Sequence, residues 1–171
     1  LKLLGIAGAS GSGKTVFLVQ LIGILRARGL RVSTIKHAHH AVELDQPGKD
    51  SHRHSQAGAQ ETILATSTGF ALFAKSPAAP TLPELLARLA PVDLVLLEGF
   101  RGEKIPKLEI HRPALGKPPL WPQMPVLAVA SDAKLPDCPY PVLDLNAPEA
   151  AVDFLLLRLG LNRSAVKTVS E

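Results

Sequence analysis

Cysteine is almost missing from this chain of 171 residues: Cys138 stands alone, which excludes an internal disulfide framework and points to a reducing, cytoplasmic compartment. Aromatic residues are also few, at 4%. With no dense basic stripe and no interleaved aromatics, the pattern of a nucleic-acid binder is absent. No apolar run approaches the ~18 residues that span a bilayer, and the first residues do not read as a secretion signal, so no membrane association is expected. Net charge is a mild +4, suited to anionic small molecules. Internal repeats are missing too. What the chain does have is 46% apolar residues over a length that the size prior assigns to one domain, residues 1–171, ending in a polar tail over 162–171.

Against that background one stretch stands out, Gly8-Ala9-Ser10-Gly11-Ser12-Gly13-Lys14-Thr15. It follows the apolar run Leu3 to Ala7 and precedes Phe17, Leu18, Leu21, Ile22 and Leu25 at helical spacing, with Gly29 as the stop. The spacing G-x-x-x-x-G-K-T between a strand and a helix is that of the phosphate-binding loop. Glycines allow positive φ and let successive N–H groups converge, and the positive end of the following helix adds to the anion site. The binding set read from it is Gly8, Ser10, Gly11, Ser12, Gly13, Lys14, Thr15 and Val16. Lys14 is expected on the β- and γ-phosphates and the Thr15 hydroxyl on Mg²⁺.

Leu30 to Lys36 reads as a second strand, completing a right-handed βαβ unit. A polar, histidine-rich loop follows, then a helix from Lys49 to Ala59 capped by Asp50 or Ser51. Glu61–Thr66 and Phe70–Ala74 read as a hairpin, which suggests a mixed sheet. Thr81 caps a short helix, Val92 to Gly99 is a central buried strand, and Lys107–His111 alternates as a strand. Pro125–Ala130 and Val142–Leu145 add strands, and Asn146–Leu161 closes the chain as a helix with Ala147, Ala150, Ala151, Phe154, Leu155 and Leu159 inward. The pattern predicts a P-loop NTPase α/β fold, three-layered α/β/α, with a mostly parallel (mixed) central sheet.

Three further positions carry chemistry. Glu98, at the carboxyl end of the most apolar strand, can reach Mg²⁺ through water or orient an attacking water. Five of the six histidines fall between His37 and His54, with Lys36, Asp45, Lys49 and Asp50 among them. That loop reads either as a zinc or nickel site or as an anion and switch site, with Asp45 or Asp50 near Mg²⁺. Asp132, after a late strand, is a candidate acceptor for the guanine base.

Four blocks resemble the molybdopterin-guanine dinucleotide biosynthesis protein B (MobB) family. They are Gly8–Thr15; Lys36-His37-Ala38-His39-His40 with Asp45-x-Pro47-Gly48-Lys49-Asp50-Ser51; Arg53 to Ala59; and Leu97-Glu98-Gly99-Phe100 followed by Pro106-Lys107. The resemblance implies a GTP-binding, Mg²⁺-dependent accessory protein, dimeric, that assists a MobA-type guanylyltransferase in joining GMP to molybdopterin. Its own GTP hydrolysis is expected to be slow at most. By position, Gly11, Gly13, Lys14 and Thr15 bind phosphates and Mg²⁺, with Glu98 and Asp45 the catalytic candidates, Asp50 a metal candidate, and Lys36 and His37 beside the nucleotide. Arg101, Lys104 or Lys107 could meet a phosphate of molybdopterin or an acidic partner face. The hairpin, or Lys107–His111, could pair across a two-fold axis. A nickel or zinc metallochaperone GTPase, dependent on His37, His39 and His40, and a small-molecule P-loop kinase are the rival readings.

Overall fold

The computed structural model describes residues 1–38 and 45–161; His39, His40 and Glu43 of the histidine-rich loop, and the tail from Asn162, lie outside the described residues. The chain divides into two compact units, residues 1–37 with 89–171 and residues 38–88.

The first unit is built on β1 (Lys2–Gly8), α1 (Lys14–Ala27) and β2 (Val32–Lys36). After the second unit come β5 (Leu94–Glu98), β6 (Lys107–His111), β7 (Ala128–Ser131), β8 (Val142–Asp144) and α4 (Pro148–Leu159). Its six strands lie in the order β2-β5-β1-β6-β7-β8, and every pairing is parallel. Parallel neighbours need crossovers, and long apolar strands such as Leu94 to Leu97 need cover on both faces. On one face Leu4, Ile6, Leu96, Leu108, Ile110 and Ala130 form a continuous core with Phe17, Leu21 and Leu25 of α1 and Val152 and Leu155 of α4. In α4 the buried stripe is Ala151, Val152, Leu155, Leu156 and Leu159; Ala150, expected inward, is exposed. The stripe is set one position round from the expected one because α4 packs against α1 as well as the sheet.

The second unit holds α2 (Asp50–Gln56), β3 (Glu61–Thr66), β4 (Gly69–Ala74) and α3 (Leu82–Ala87). The hairpin forms as expected, with Thr66 opposite Gly69 and the Thr66 hydroxyl donating to the Gly69 carbonyl across the turn. It is a two-stranded sheet of its own, so the central sheet is parallel throughout rather than mixed. Its strands are largely exposed, and Ile63, Leu64 and Phe70 carry apolar surface into solvent. Thr81 caps α3 in a reciprocal box with Glu84, as read from the sequence. At α2 the expected cap is not used: Lys49 is the capping position without a side-chain bond, and the Ser51 hydroxyl donates instead to Asp45.

Candidate functional site

In an open parallel sheet, ligands gather at the carboxyl ends of the strands where the strand order reverses. Here that point is the end of β1, with β5 and β2 on one side and β6, β7 and β8 on the other. The glycine-rich loop leaves β1 at that point. Gly8, Gly11 and Gly13 have φ of 145°, 83° and 89°. A Cβ on Gly8 would lie 2.4 Å from the Ile110 carbonyl oxygen, so only glycine lets the loop pass the end of β6 this closely. The loop delivers the chain into α1 with no side-chain cap and no acidic residue in its first turn, whereas Asp50, Glu84 and Glu149 occupy the first turns of α2, α3 and α4. A 14-residue helix with uncapped N–H groups and no local carboxylate presents its positive end to an anion.

Cations surround the loop. Lys14 Nζ donates to the Ala9 carbonyl at 2.8 Å, Arg101 Nη2 to Gly8 at 2.9 Å, Lys117 Nζ to Ser10 at 2.8 Å and Arg112 Nε to Ser12 at 3.1 Å. Arg112 is also paired with Asp132, which joins the end of β7 to the loop. Burial pushes the Lys14 ammonium below its usual value; Glu98 opposes that, while Arg101, Lys36 and Lys117 add to it. Glu98 ends β5, largely buried, with Lys36 Nζ 3.7 Å away at the end of β2. The two strand ends are held in register by the His37 N–H donating to the Glu98 carbonyl, and His37 stacks at a tilt on Phe100. Gly99 has its own reason to be glycine: a Cβ would lie 2.6 Å from the His37 carbonyl oxygen, just past the end of β2.

Beyond the loop two clefts share Asn146. One, of about 210 Å³, is lined by Gly13, Val16, Phe17, Gln20, Arg112 and Asn146. The other, of about 580 Å³, opens at the ends of β7 and β8 between Asp132, Lys134, Pro136, Asp144 and Asn146. Asn146 thus lies between the loop-side cleft and the larger one, which is lined by Asp132.

Most of the sequence-derived set is thus found around one end of the sheet: Gly8, Ser10, Gly11, Ser12, Gly13, Lys14, Thr15, Val16, Lys36, His37, Glu98 and Asp132. Asp45 and Asp50 belong to the second unit. There Asp45 Oδ1 accepts from the Gln46 N–H and the Ser51 hydroxyl, and Asp50 opens α2. Among the described residues no three His, Cys, Asp or Glu side chains converge as a metal site requires, and His39 and His40 lie outside them. Lys107 is buried, with Nζ turned onto the Glu103 and Ile105 carbonyls, which removes it from the surface where a second ligand was expected. Nor can its strand pair with a second copy, because β6 is flanked on both edges by β1 and β7. The sequence reading missed Lys117, Arg112 and Asn146 as neighbours of the loop. The only signal for the first two was the basic bias of residues 101–117.

A parallel α/β sheet with this loop at its switch point defines a phosphate-loop nucleotide-binding fold. Residues 3–132 match the family model of molybdopterin guanine dinucleotide synthesis protein B, MobB, and the chain belongs to that family. It is 42% identical over 157 residues to the molybdopterin-guanine dinucleotide biosynthesis adapter protein of Haemophilus influenzae, covering 91% of this chain and 88% of that one. To the protein of the same name from Escherichia coli it is 40% identical over 162 residues, covering 91% and 92%. The crystal structure of a molybdopterin-guanine biosynthesis protein B superposes with a TM-score of 0.73 at 25% identity, over 92% of this chain and 99% of that one. The MobB homologue of Bacillus stearothermophilus, at 22% identity, has the same fold with a TM-score of 0.70, over 95% and 100%. No helix among the described residues is long and apolar enough to cross a membrane.

Proposed function

We propose that this chain is a GTP-binding adapter of molybdenum cofactor biosynthesis. It assists a MobA-type guanylyltransferase that attaches GMP to molybdopterin, and its own GTP hydrolysis is slow. The observation that carries the nucleotide reading is the uncapped start of α1 behind the glycine loop, ringed by Lys14, Lys36, Arg101 and Lys117. Such a donor set suits a polyphosphate. Thr15, exposed at the first turn of α1, and Glu98 are the residues that would hold Mg²⁺, which supplies charge neutralisation between phosphate oxygens. The triphosphate lies on the loop and the base extends past Asn146 into the recess at Asp132. Arg112 fixes that carboxylate to accept the guanine N–H donors. The exposed apolar strands of the hairpin are our assignment for contact with a second copy.

Calorimetric titration with GTP, ATP and molybdopterin tests the reading directly. GTP is expected to bind in the micromolar range, roughly −8 kcal/mol, with ATP weaker. Lys14→Ala abolishes the heat. Preference for ATP would overturn the guanine assignment.

A further inference from the structure

Lys117 has no role in the family pattern read from the sequence, yet its ammonium lands on the phosphate loop. Its Nζ donates to the Ser10 carbonyl, and Lys14 Nζ donates to the carbonyl one residue earlier, Ala9, both at 2.8 Å. The two ammonium groups are close enough for Lys117 to disfavour the charged form of Lys14. Among the described residues Lys117 forms no ion pair, whereas Arg112 has Asp132 and Lys36 has Glu98. Arg101, on the other flank, feels the buried carboxylate of Glu109. Lys14 has Glu98 in its field, so among the described residues Lys117 is the cation of this ring with no carboxylate set against it. Two neighbouring ammonium groups repel unless an anion lies between them, and the oxygens of a polyphosphate are stronger acceptors than a peptide carbonyl.

The way Lys117 is held is as informative as where it lies. A single 3-10 turn, Pro113–Leu115, with Gly116 at φ 62°, turns the chain just before it. Three residues later Glu109 Oε1 accepts the Leu120 N–H at 2.8 Å, and the Trp121 backbone N–H lies near enough to favour the charged carboxylate. The Trp121 ring meets His111 edge-on at 5.3 Å. Glu109 is 1% exposed and projects from the face of β6 opposite to Leu108 and Ile110. A buried mid-strand carboxylate thus fastens the proline-rich segment, and proline restricts what is left of its freedom.

We propose that Lys117 is a second phosphate-loop lysine that binds the terminal phosphate of the nucleoside triphosphate, and that Glu109 is its positioning residue. This rests on the nucleotide reading above. Lys14 serves the β- and γ-phosphates, and Lys117, one carbonyl further along the same loop, serves the γ end, so the residue discriminates triphosphate from diphosphate.

The test is the affinity ratio of GTP to GDP, with Mg²⁺ present, by fluorescence of labelled nucleotides. Lys117→Ala is expected to weaken GTP roughly tenfold and to leave GDP within about twofold, and Lys117→Arg to restore most of the ratio. Glu109→Ala lowers the ratio in the same direction, and Glu109→Gln, which keeps an acceptor for Leu120, does not. Equal losses of GTP and GDP in Lys117→Ala would make the lysine a staple of the loop and overturn the proposal. A native protein that binds neither nucleotide, or a Lys14→Ala variant that binds both unchanged, overturns the nucleotide reading itself. That result is separate from an unaltered ratio in Lys117→Ala, which sinks the Lys117 assignment alone.

Discussion

Two buried glutamates flank β1, and they differ in almost every respect that matters. Glu98 ends β5 on the face shared with Ile6 and faces Lys36, with Lys14 in its field. Glu109 lies in the middle of β6 on the opposite face and spends one oxygen on the Leu120 backbone N–H of a distant segment, while its Oε2 has no partner among the described residues. A carboxylate at a strand's end among cations is free to exchange partners and suits a metal or a water. One sealed in mid-strand and bonded to the main chain holds structure in place. Burial and charge are common to both, so position along the strand and the nature of the partner separate the two roles.

The sharpest way to break this contrast is to remove each carboxylate. Glu98→Ala is expected to cost on the order of a hundredfold in Mg²⁺-dependent GTP hydrolysis and to abolish the dependence of GTP affinity on Mg²⁺. Its melting temperature should change little, because the lost partner is an exposed lysine. Glu109→Ala should invert the pattern. The Leu120 N–H is left without its acceptor, for a loss of about 1–3 kcal/mol in denaturant unfolding, and Mg²⁺ dependence survives. If Glu109→Ala erased the Mg²⁺ effect and Glu98→Ala did not, the roles would have to be exchanged.

Gly99→Ala probes the ground between them. The added methyl would overlap the His37 carbonyl at a backbone φ of 95°, forcing β2 and β5 apart where Lys36 and Glu98 meet. A loss of about 2 kcal/mol in stability together with weaker Mg²⁺-GTP binding is expected, measured by chemical unfolding and titration. Gly102→Ala, with open space around its Cβ, is the control.

The same pair shows what could be read from the sequence. Glu98 was legible because everything that defines it is local: an apolar strand, a terminal acid, and a phosphate loop elsewhere in the chain. The loop itself was legible for the same reason, being a fixed spacing between a strand and a helix. Lys107, Glu109 and His111 were not, because strict alternation describes a strand with one solvated face, and here the polar face is covered too. Leu120 and Trp121 help to cover it, and no periodicity within β6 announces that. Lys117 was hidden likewise: a basic bias over residues 101–117 was visible, but which of its cations turn to the loop depends on that same long-range latch. At α2 the cap was misread because Asp45, six residues before Ser51, takes the hydroxyl.

The smallest effect expected is also the most selective, since it addresses the charge of Glu109 and leaves its hydrogen bond. Burial lifts the Glu109 carboxyl above its usual range, against the opposing influence of the Leu120 N–H, His111, the Trp121 N–H and Arg101. A carboxylate raised in this way holds its proton more tightly in the folded protein than in the unfolded chain. Stability is therefore greatest below the ordinary carboxylate range and declines as pH rises through it toward the raised value. Glu109→Gln removes that decline and keeps an oxygen for Leu120. Its melting temperature should exceed that of the native protein near neutral pH, with the gap closing in mildly acidic buffer. A gap for Glu109→Gln that stayed constant across that range would mean that the buried charge carries no penalty, and the distinction between the two glutamates would then rest on hydrogen bonding alone.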